Sequence, residues 1–295
     1  MEVVLIVNPF ASAVTEERVR SVERELGRAG SVRTLLTERP GHGTVLAAAA
    51  VGDALVVYSG DGGFNEVLNG APAELPLGFL PGGRTSVLPR TLGLPRDAVA
   101  AARTVAEALE QRRTRTISVG RVNGRRFGFC AGIGLDGELV RRVDALGRRE
   151  DGRRPGDAAY IAAAVRVLAA RRGRFEPALE VRGLGRAAFV LVANTDPYTY
   201  AGPVPIHAAP EARFELGLDL VAPARVATRS VPRYLRYLLR GRGQIEDADV
   251  LYGHDLDRIE ITCDRPLPLQ VDGEDLGDVT EAVFEAERSA LTVLI

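Results

Sequence analysis

The stretch Ser59-Gly60-Asp61-Gly62-Gly63-Phe64-Asn65-Glu66-Val67-Leu68-Asn69-Gly70 carries the residues best suited to chemistry. It follows the apolar run Ala54–Tyr58, which reads as a buried parallel strand, and it leads into apolar Phe64, Val67 and Leu68 at helical spacing. A strand, a glycine-rich turn and a helix present backbone N–H groups to phosphate at a helix N-terminus. The glycines let a ligand approach the backbone closely. Asp61 is the unusual member. A carboxylate beside phosphates repels them unless a cation lies between or the acid works on a proton. The loop therefore points to metal–nucleotide handling with chemistry.

The composition removes several alternatives. All 38 basic residues are arginine. That excludes a Walker A lysine, a protein-kinase strand lysine and a Schiff-base lysine together. The first strand, Val3–Val7, runs into Asn8-Pro9-Phe10 rather than a dinucleotide glycine fingerprint. A polar turn at that strand end sits where open α/β sheets bind ligands, although an ordinary strand-to-helix turn reads the same way. His42, His207 and His254 lack metal-ligand spacing, and Cys130 and Cys263 stand far apart in strand-like runs. They read as buried small hydrophobes in a reducing compartment. A net charge of −1 argues against nucleic-acid binding. An acid at position 2 leads straight into a strand, so no signal peptide is expected. No apolar run reaches membrane-span length, so any membrane contact should be peripheral.

The elements that must position these residues fall into two patterns. From 1 to 113 strands and helices alternate: strands at 3–7, 31–36, 54–58 and 77–80, and helices near 15–29, 43–51 and 97–111. This predicts a three-layer α/β domain with a parallel sheet. From 114 the pattern changes. Thr116–Val122 and Arg125–Cys130 flank Asn123-Gly124, the strongest short hairpin signal. Strand-like runs follow at 187–193, 214–221, 257–263 and 267–271, with helices near 156–171 and 230–239. Residues 114–279 are expected to form an antiparallel β-sandwich-like domain with inserted helices, and 280–295 to return to the first domain. The basic loop Arg148–Gly156 is either a solvated loop or a contact for anionic headgroups.

Several segments are expected at one cleft: Asn8, Thr37–His42, Ser59–Glu66, Gly82-Gly83-Arg84-Thr85-Ser86 and, far off in sequence, Gln270-Val271-Asp272-Gly273-Glu274. This set resembles the diacylglycerol kinase catalytic domain family, notably its soluble bacterial lipid kinases, and is similar to sphingosine kinases. Asn8-Pro9, Ser59–Gly70, Leu80–Gly83 with Arg90–Pro95, Phe127–Asp136 and Asp272-Gly273-Glu274 carry the resemblance. It implies ATP-dependent transfer of the γ-phosphoryl group to a lipid hydroxyl, with Mg²⁺, by a cytoplasmic protein that visits a membrane surface. By motif position it implies that Asn8, Thr37, Ser59, Gly60, Asp61, Gly62, Gly63, Phe64, Asn65, Glu66, Gly82, Gly83, Arg84 and Thr85 bind the nucleotide. It implies that Asp61 holds the metal, and that Asp272 or Glu274 takes the alcohol's proton.

The chain departs from that pattern in three places. Gly63 replaces a common threonine. Arg84 and Ser86 stand where a hydroxyl residue and an asparagine are usual. Leu216, in Glu215-Leu216-Gly217, stands where many bacterial members have a metal-binding Asp, so that structural metal is expected to be absent or altered. Two alternatives follow: a nucleotide-binding regulatory member of the fold without turnover, and a small-molecule kinase like the NAD kinases. Leu135, Leu139, Val143 and Leu146 are candidates for a lipid pocket, though core packing explains them as well. A homodimer is possible but not dictated by any motif.

Overall fold

The computed structural model describes residues 1–147 and 157–295. The basic loop at 148–156 lies outside the described residues. The chain divides into two compact units: Met1–Ser118 with Ser289–Ile295, and Val119–Arg288.

The first unit contains β1 (Glu2–Val7), α1 (Glu16–Leu26), β2 (Ser31–Leu36), α2 (His42–Ala48), β3 (Ala54–Ser59), α3 (Asp61–Leu68), β4 (Leu77–Pro81), α4 (Val87–Thr91) and α5 (Ala98–Glu110). Its strands are parallel in the order β4-β3-β1-β2. The C-terminal segment adds a further parallel contact at Val293 against Leu77. β3 and β4 are buried along their whole length, as the continuous apolar runs require. Local signals set the helix ends. Thr15 accepts the Arg18 amide ahead of Glu16 and Glu17 at the start of α1. Asp97 accepts the Val99 and Ala100 amides at the start of α5. Gly78 brings α5 close: a Cβ there would lie 2.9 Å from a methyl of Val105. The short helix α4 was not expected, because Pro89 and a single turn hide it from periodicity.

The second unit takes in the end of β5 (Thr114–Val122), then β6 (Arg125–Phe127), β7 (Cys130–Ile133), α6 (Leu135–Asp144), α7 (Asp157–Ala170), β8 (Leu179–Val181), β9 (Gly185–Ala187) and β10 (Val190–Ala193). Next come β11 (Thr199–Ala201), β12 (Val204–Ile206), β13 (Leu218–Pro223), α8 (Val231–Arg240), β14 (Val250–Leu256), β15 (Arg258–Val271) and most of β16 (Glu274–Leu294). Its main sheet is antiparallel in the order β14-β13-β10-β7-β15-β16. Asn123 and Gly124 both have positive φ, 47° and 90°, so the expected tight hairpin forms between β5 and β6. The core includes Phe127, Ile133, Leu179, Val192, Leu220, Ile261 and Phe284. Phe127 and Phe284 meet edge to face at 6.3 Å.

Four expectations about strands need correction. The run 187–193 is split, with β9 ending at Ala187 and β10 starting at Val190. Arg125–Cys130 is not one strand: it breaks after Phe127, because a distant carboxylate captures the amides that would have continued the ladder. The runs 257–263 and 267–271 belong to a single strand, β15, whose register shifts between Thr262 and Leu267, around Pro266. The run 214–221 is extended only from Leu218; Gly217 ends a turn and donates its amide to Asp255 Oδ1 at 2.7 Å. Cys130 and Cys263 are free and buried, as expected.

Candidate functional site

In the first unit, β3 ends at Ser59 and α3 starts at Asp61, with Gly60 extended between them. The first-turn amides of a helix have no partner four residues back. Here they belong to Asp61, Gly62 and Gly63, two of which carry no side chain to obstruct a ligand. The neighbouring strand end closes in tightly. The Gly82 amide donates to the Ser59 carbonyl at 2.7 Å. A Cβ on Gly83 would fall 2.9 Å from Gly60 Cα, so this close approach requires glycine at position 83. Asp61 Oδ1 accepts the Val87 amide at 2.7 Å and so ties the loop to the start of α4.

Ser86 closes the turn. At φ 46° its buried hydroxyl lies 3.1 Å from the Gly83 amide and 3.2 Å from the Gly83 carbonyl. Thr85 is half-buried, and Arg84 is exposed. Ser59 explains Gly63: a Cβ at position 63 would sit 2.0 Å from Ser59 Oγ, so the serine fills the space a larger residue would need. Ser59 Oγ is buried, with no hydrogen-bond partner among the described residues.

The other expected nucleotide contacts lie in the same unit. Asn8 follows β1, its amide donating to the Tyr58 carbonyl at 3.0 Å; its Nδ2 would lie 3.9 Å from a Cβ on Gly63. The Thr37 amide donates to Val7 at 2.9 Å just past β2, and Thr37 is buried. Phe64 turns inward and meets Phe79 edge to face at 5.5 Å. Asn65 is buried, and its Oδ1 accepts the Asn69 amide group at 3.2 Å.

Glu66 has a role that its sequence position did not reveal. Its two carboxylate oxygens accept the Gly41 and Gly43 amides, each at 2.8 Å. Gly41 has φ 79° and has no side chain to cap α2, so Glu66 performs that service from the next helix. The carboxylate thereby fixes the Thr37–His42 turn.

The second unit contains the two late carboxylates. Asp272 is 3% exposed and adopts φ 47°. Its Oδ2 accepts the Gly128 amide at 2.7 Å, and its Oδ1 accepts those of Phe129 and Cys130 at 3.0 and 3.1 Å. Glu274 begins β16 and pairs with Arg125 at 3.4 Å, both side chains partly exposed.

Behind the turn lies a buried network that was not anticipated. The Tyr198 hydroxyl and Gln270 Nε2 both reach Asp136 Oδ2 at 2.6 Å, while Gln270 Oε1 accepts the Gly273 amide at 2.8 Å. Burial pushes the Asp136 carboxyl upward against the opposing pull of these two hydrogen bonds. The same burial raises Cys130 and Tyr198 well above their ordinary values, with Asp136 adding to both. On α6, Val143 is buried and Leu135 and Leu139 pack against a small cluster with Phe175 and Phe189; Leu146, past the end of that helix, is exposed. Among the described residues no group of three His, Cys, Asp or Glu is placed to hold a metal ion.

Residues 2–122 match the Diacylglycerol kinase catalytic domain, and residues 130–295 match the YegS C-terminal NAD kinase beta sandwich-like domain. The diacylglycerol kinase of Bacillus subtilis is 30% identical over 239 residues, which are 79% of this chain and 75% of that protein. A solved structure of a diacylglycerol kinase from Bacillus anthracis superimposes with a TM-score of 0.71. It is 20% identical, and the match covers 99% of this chain and 96% of that one. At that identity the likeness speaks for the fold.

Proposed function

Because the chain belongs to the diacylglycerol kinase catalytic domain family, we propose that it transfers the γ-phosphoryl group of ATP to the hydroxyl of a diacylglycerol-like lipid. The observation that carries this reading is the glycine cradle of the first unit. Gly60 and Gly83 pack backbone to backbone, and the first turn of α3 offers the Gly62 and Gly63 amides to a phosphate. Phosphoryl transfer asks a protein mainly to position groups and neutralise charge. Backbone amides and arginine can do both without lysine.

A magnesium ion suits the donor set. Such an ion takes one or two protein carboxylates and completes its shell with water and substrate phosphates. Asp61 is the one carboxylate of the cradle, and no all-protein cage is required. Bound there, the ion would screen the phosphate charge. Asn8, Thr37, Ser59, Gly62, Gly63, Phe64, Asn65, Gly82, Arg84 and Thr85 are assigned to the nucleotide through backbone or side chain. Glu66 acts on the same site by holding the Gly41–Gly43 turn. The alcohol's proton is assigned to the Asp272–Glu274 pair. A carboxylate there removes the proton as the oxygen–phosphorus bond forms.

The test is ATP consumption with diacylglycerol, sphingoid and polyprenol acceptors, with Asp61→Asn as the comparison. Acceptor-dependent turnover in the wild type that is lost in the variant is expected. If both proteins bind ATP and both remain inert with every acceptor, the regulatory reading, motivated by Arg84 and Ser86, replaces this one. The NAD kinase likeness of the second domain keeps one further acceptor in the panel. Phosphorylation of NAD without lipid product would move the activity to that class.

A further inference from the structure

Helix α8, Val231-Pro-Arg-Tyr-Leu-Arg-Tyr-Leu-Leu-Arg240, buries none of its residues. Its inner side is nevertheless engaged. Val231 and Tyr234 pack against the Phe175–Phe189 cluster, and the Leu238 carbonyl accepts the His207 amide at 2.7 Å. Its outer side exposes Leu235 and Leu239, at 49% and 56%, one turn apart. Pro232, Arg236 and Arg240 are exposed as well. Past the helix the chain turns at Gly241 and Gly243, both with positive φ, which brings Arg242 back beside it. Arg236, Arg240 and Arg242 line a groove of about 510 Å³ together with Tyr237, with Glu246 and Asp247 also on its wall.

Among the described residues no carboxylate forms an ion pair with these three arginines, whereas Arg233, toward the inner side, is held by Asp247 and Asp249. The segment 225–249 carries six arginines against three acids, in a chain whose net charge is −1. A short helix with protruding leucines and a cationic rim matches the boundary of an anionic bilayer. The leucines enter the acyl layer, and guanidinium groups pair with phosphates in a bidentate manner. A nucleic acid would satisfy the arginines and leave the leucines in water. We propose that the outer face of α8, with the Arg236–Arg240–Arg242 groove, docks the protein on anionic phospholipid membranes. The proposal deepens the lipid-kinase reading and rests on it for its purpose, but its test does not depend on catalysis.

The chain has no tryptophan, so Leu239→Trp installs a single reporter. Without ATP, mixed phosphatidylglycerol–phosphatidylcholine vesicles are expected to shift its emission to the blue, and pure phosphatidylcholine vesicles to do so far less. In the otherwise native chain, Leu235→Glu/Leu239→Glu should lower vesicle partition by about tenfold or more, since two buried leucines are lost. Arg236→Ala/Arg240→Ala should remove the preference for anionic vesicles. An unshifted reporter while protein sediments with vesicles would mean that another surface docks and would overturn the proposal. So would a shift with RNA and none with vesicles, or equal shifts with neutral and anionic vesicles. A protein that docks yet phosphorylates no lipid sinks the kinase reading and leaves the docking face. A protein that phosphorylates detergent-dispersed acceptor with an unshifted reporter sinks the docking face alone.

Discussion

Asp272→Asn is the substitution a kinase experiment would choose first, and the structure gives it a second effect. The carboxylate accepts three backbone N–H groups from Gly128, Phe129 and Cys130 while 3% exposed. The asparagine oxygen can keep the Phe129 and Cys130 amides where Oδ1 held them. Its NH₂ group then faces the Gly128 amide, donor against donor. Leaving one buried N–H unsatisfied and weakening two charge-assisted bonds costs about 2–4 kcal/mol. Asn tolerates the left-handed φ of 47°, so backbone strain adds little. For a domain of this size the melting temperature should fall by about 5–10 °C. Glu274→Gln weakens a partly exposed pairing with Arg125, and the loss of that pairing should cost under about 1 kcal/mol. The assay is thermal unfolding of both variants by circular dichroism, beside their turnover. A melting point for Asp272→Asn within about 2 °C of the wild type would refute the hydrogen-bond argument. Loss of turnover without loss of stability in Glu274→Gln would assign the proton to Glu274.

Gly63→Ala should cost about 1–3 kcal/mol, because its Cβ would meet Ser59 Oγ at 2.0 Å and Ser59 Cβ at 2.7 Å; adding Ser59→Ala removes the first contact and leaves the second, so it should recover only part of the loss in a denaturant titration. His254 Nδ1 lies 2.9 Å from Asp219 Oδ1, and that hydrogen bond raises the imidazole above its ordinary value, with the Asp219 charge adding to it. A raised folded value means that the pair's stability is complete below about pH 6.5 and is lost as pH rises through the folded value. His254→Gln should therefore flatten the melting-temperature profile over that interval, and parallel profiles for the two proteins would contradict the pairing. Burial pushes Cys263 up to about 11 and raises Cys130 well above its ordinary value, so neither thiol should react with an aromatic disulfide reagent at neutral pH until the protein unfolds.

The parts of the fold that repeat a local rule could be read from the residues. Continuous apolar runs marked β1, β3 and β4, and Asn123-Gly124 marked its hairpin, because strand burial and turn geometry depend on neighbours in sequence. The glycine loop was legible for the same reason. The break at Gly128 was not, because it depends on a carboxylate 144 positions away. Glu66 looked like a ligand contact, and its two amide partners appear only once α2 and α3 lie side by side. The Asp136–Tyr198–Gln270 network gathers three segments that no spacing connects. The apolar stripe of α8 reads in sequence like an ordinary core-facing helix, and only the folded exposure of Leu235 and Leu239 separates it from one.

The central claim is the chemistry of transfer. Incubating the purified protein with γ-labelled ATP, magnesium and a total lipid extract, then separating and weighing the labelled lipids by mass spectrometry, tests it most directly. The account predicts label in a lipid phosphate monoester, dependent on magnesium and absent with Asp61→Asn. Bound ATP with no labelled lipid, or label found only in a water-soluble acceptor, would contradict it.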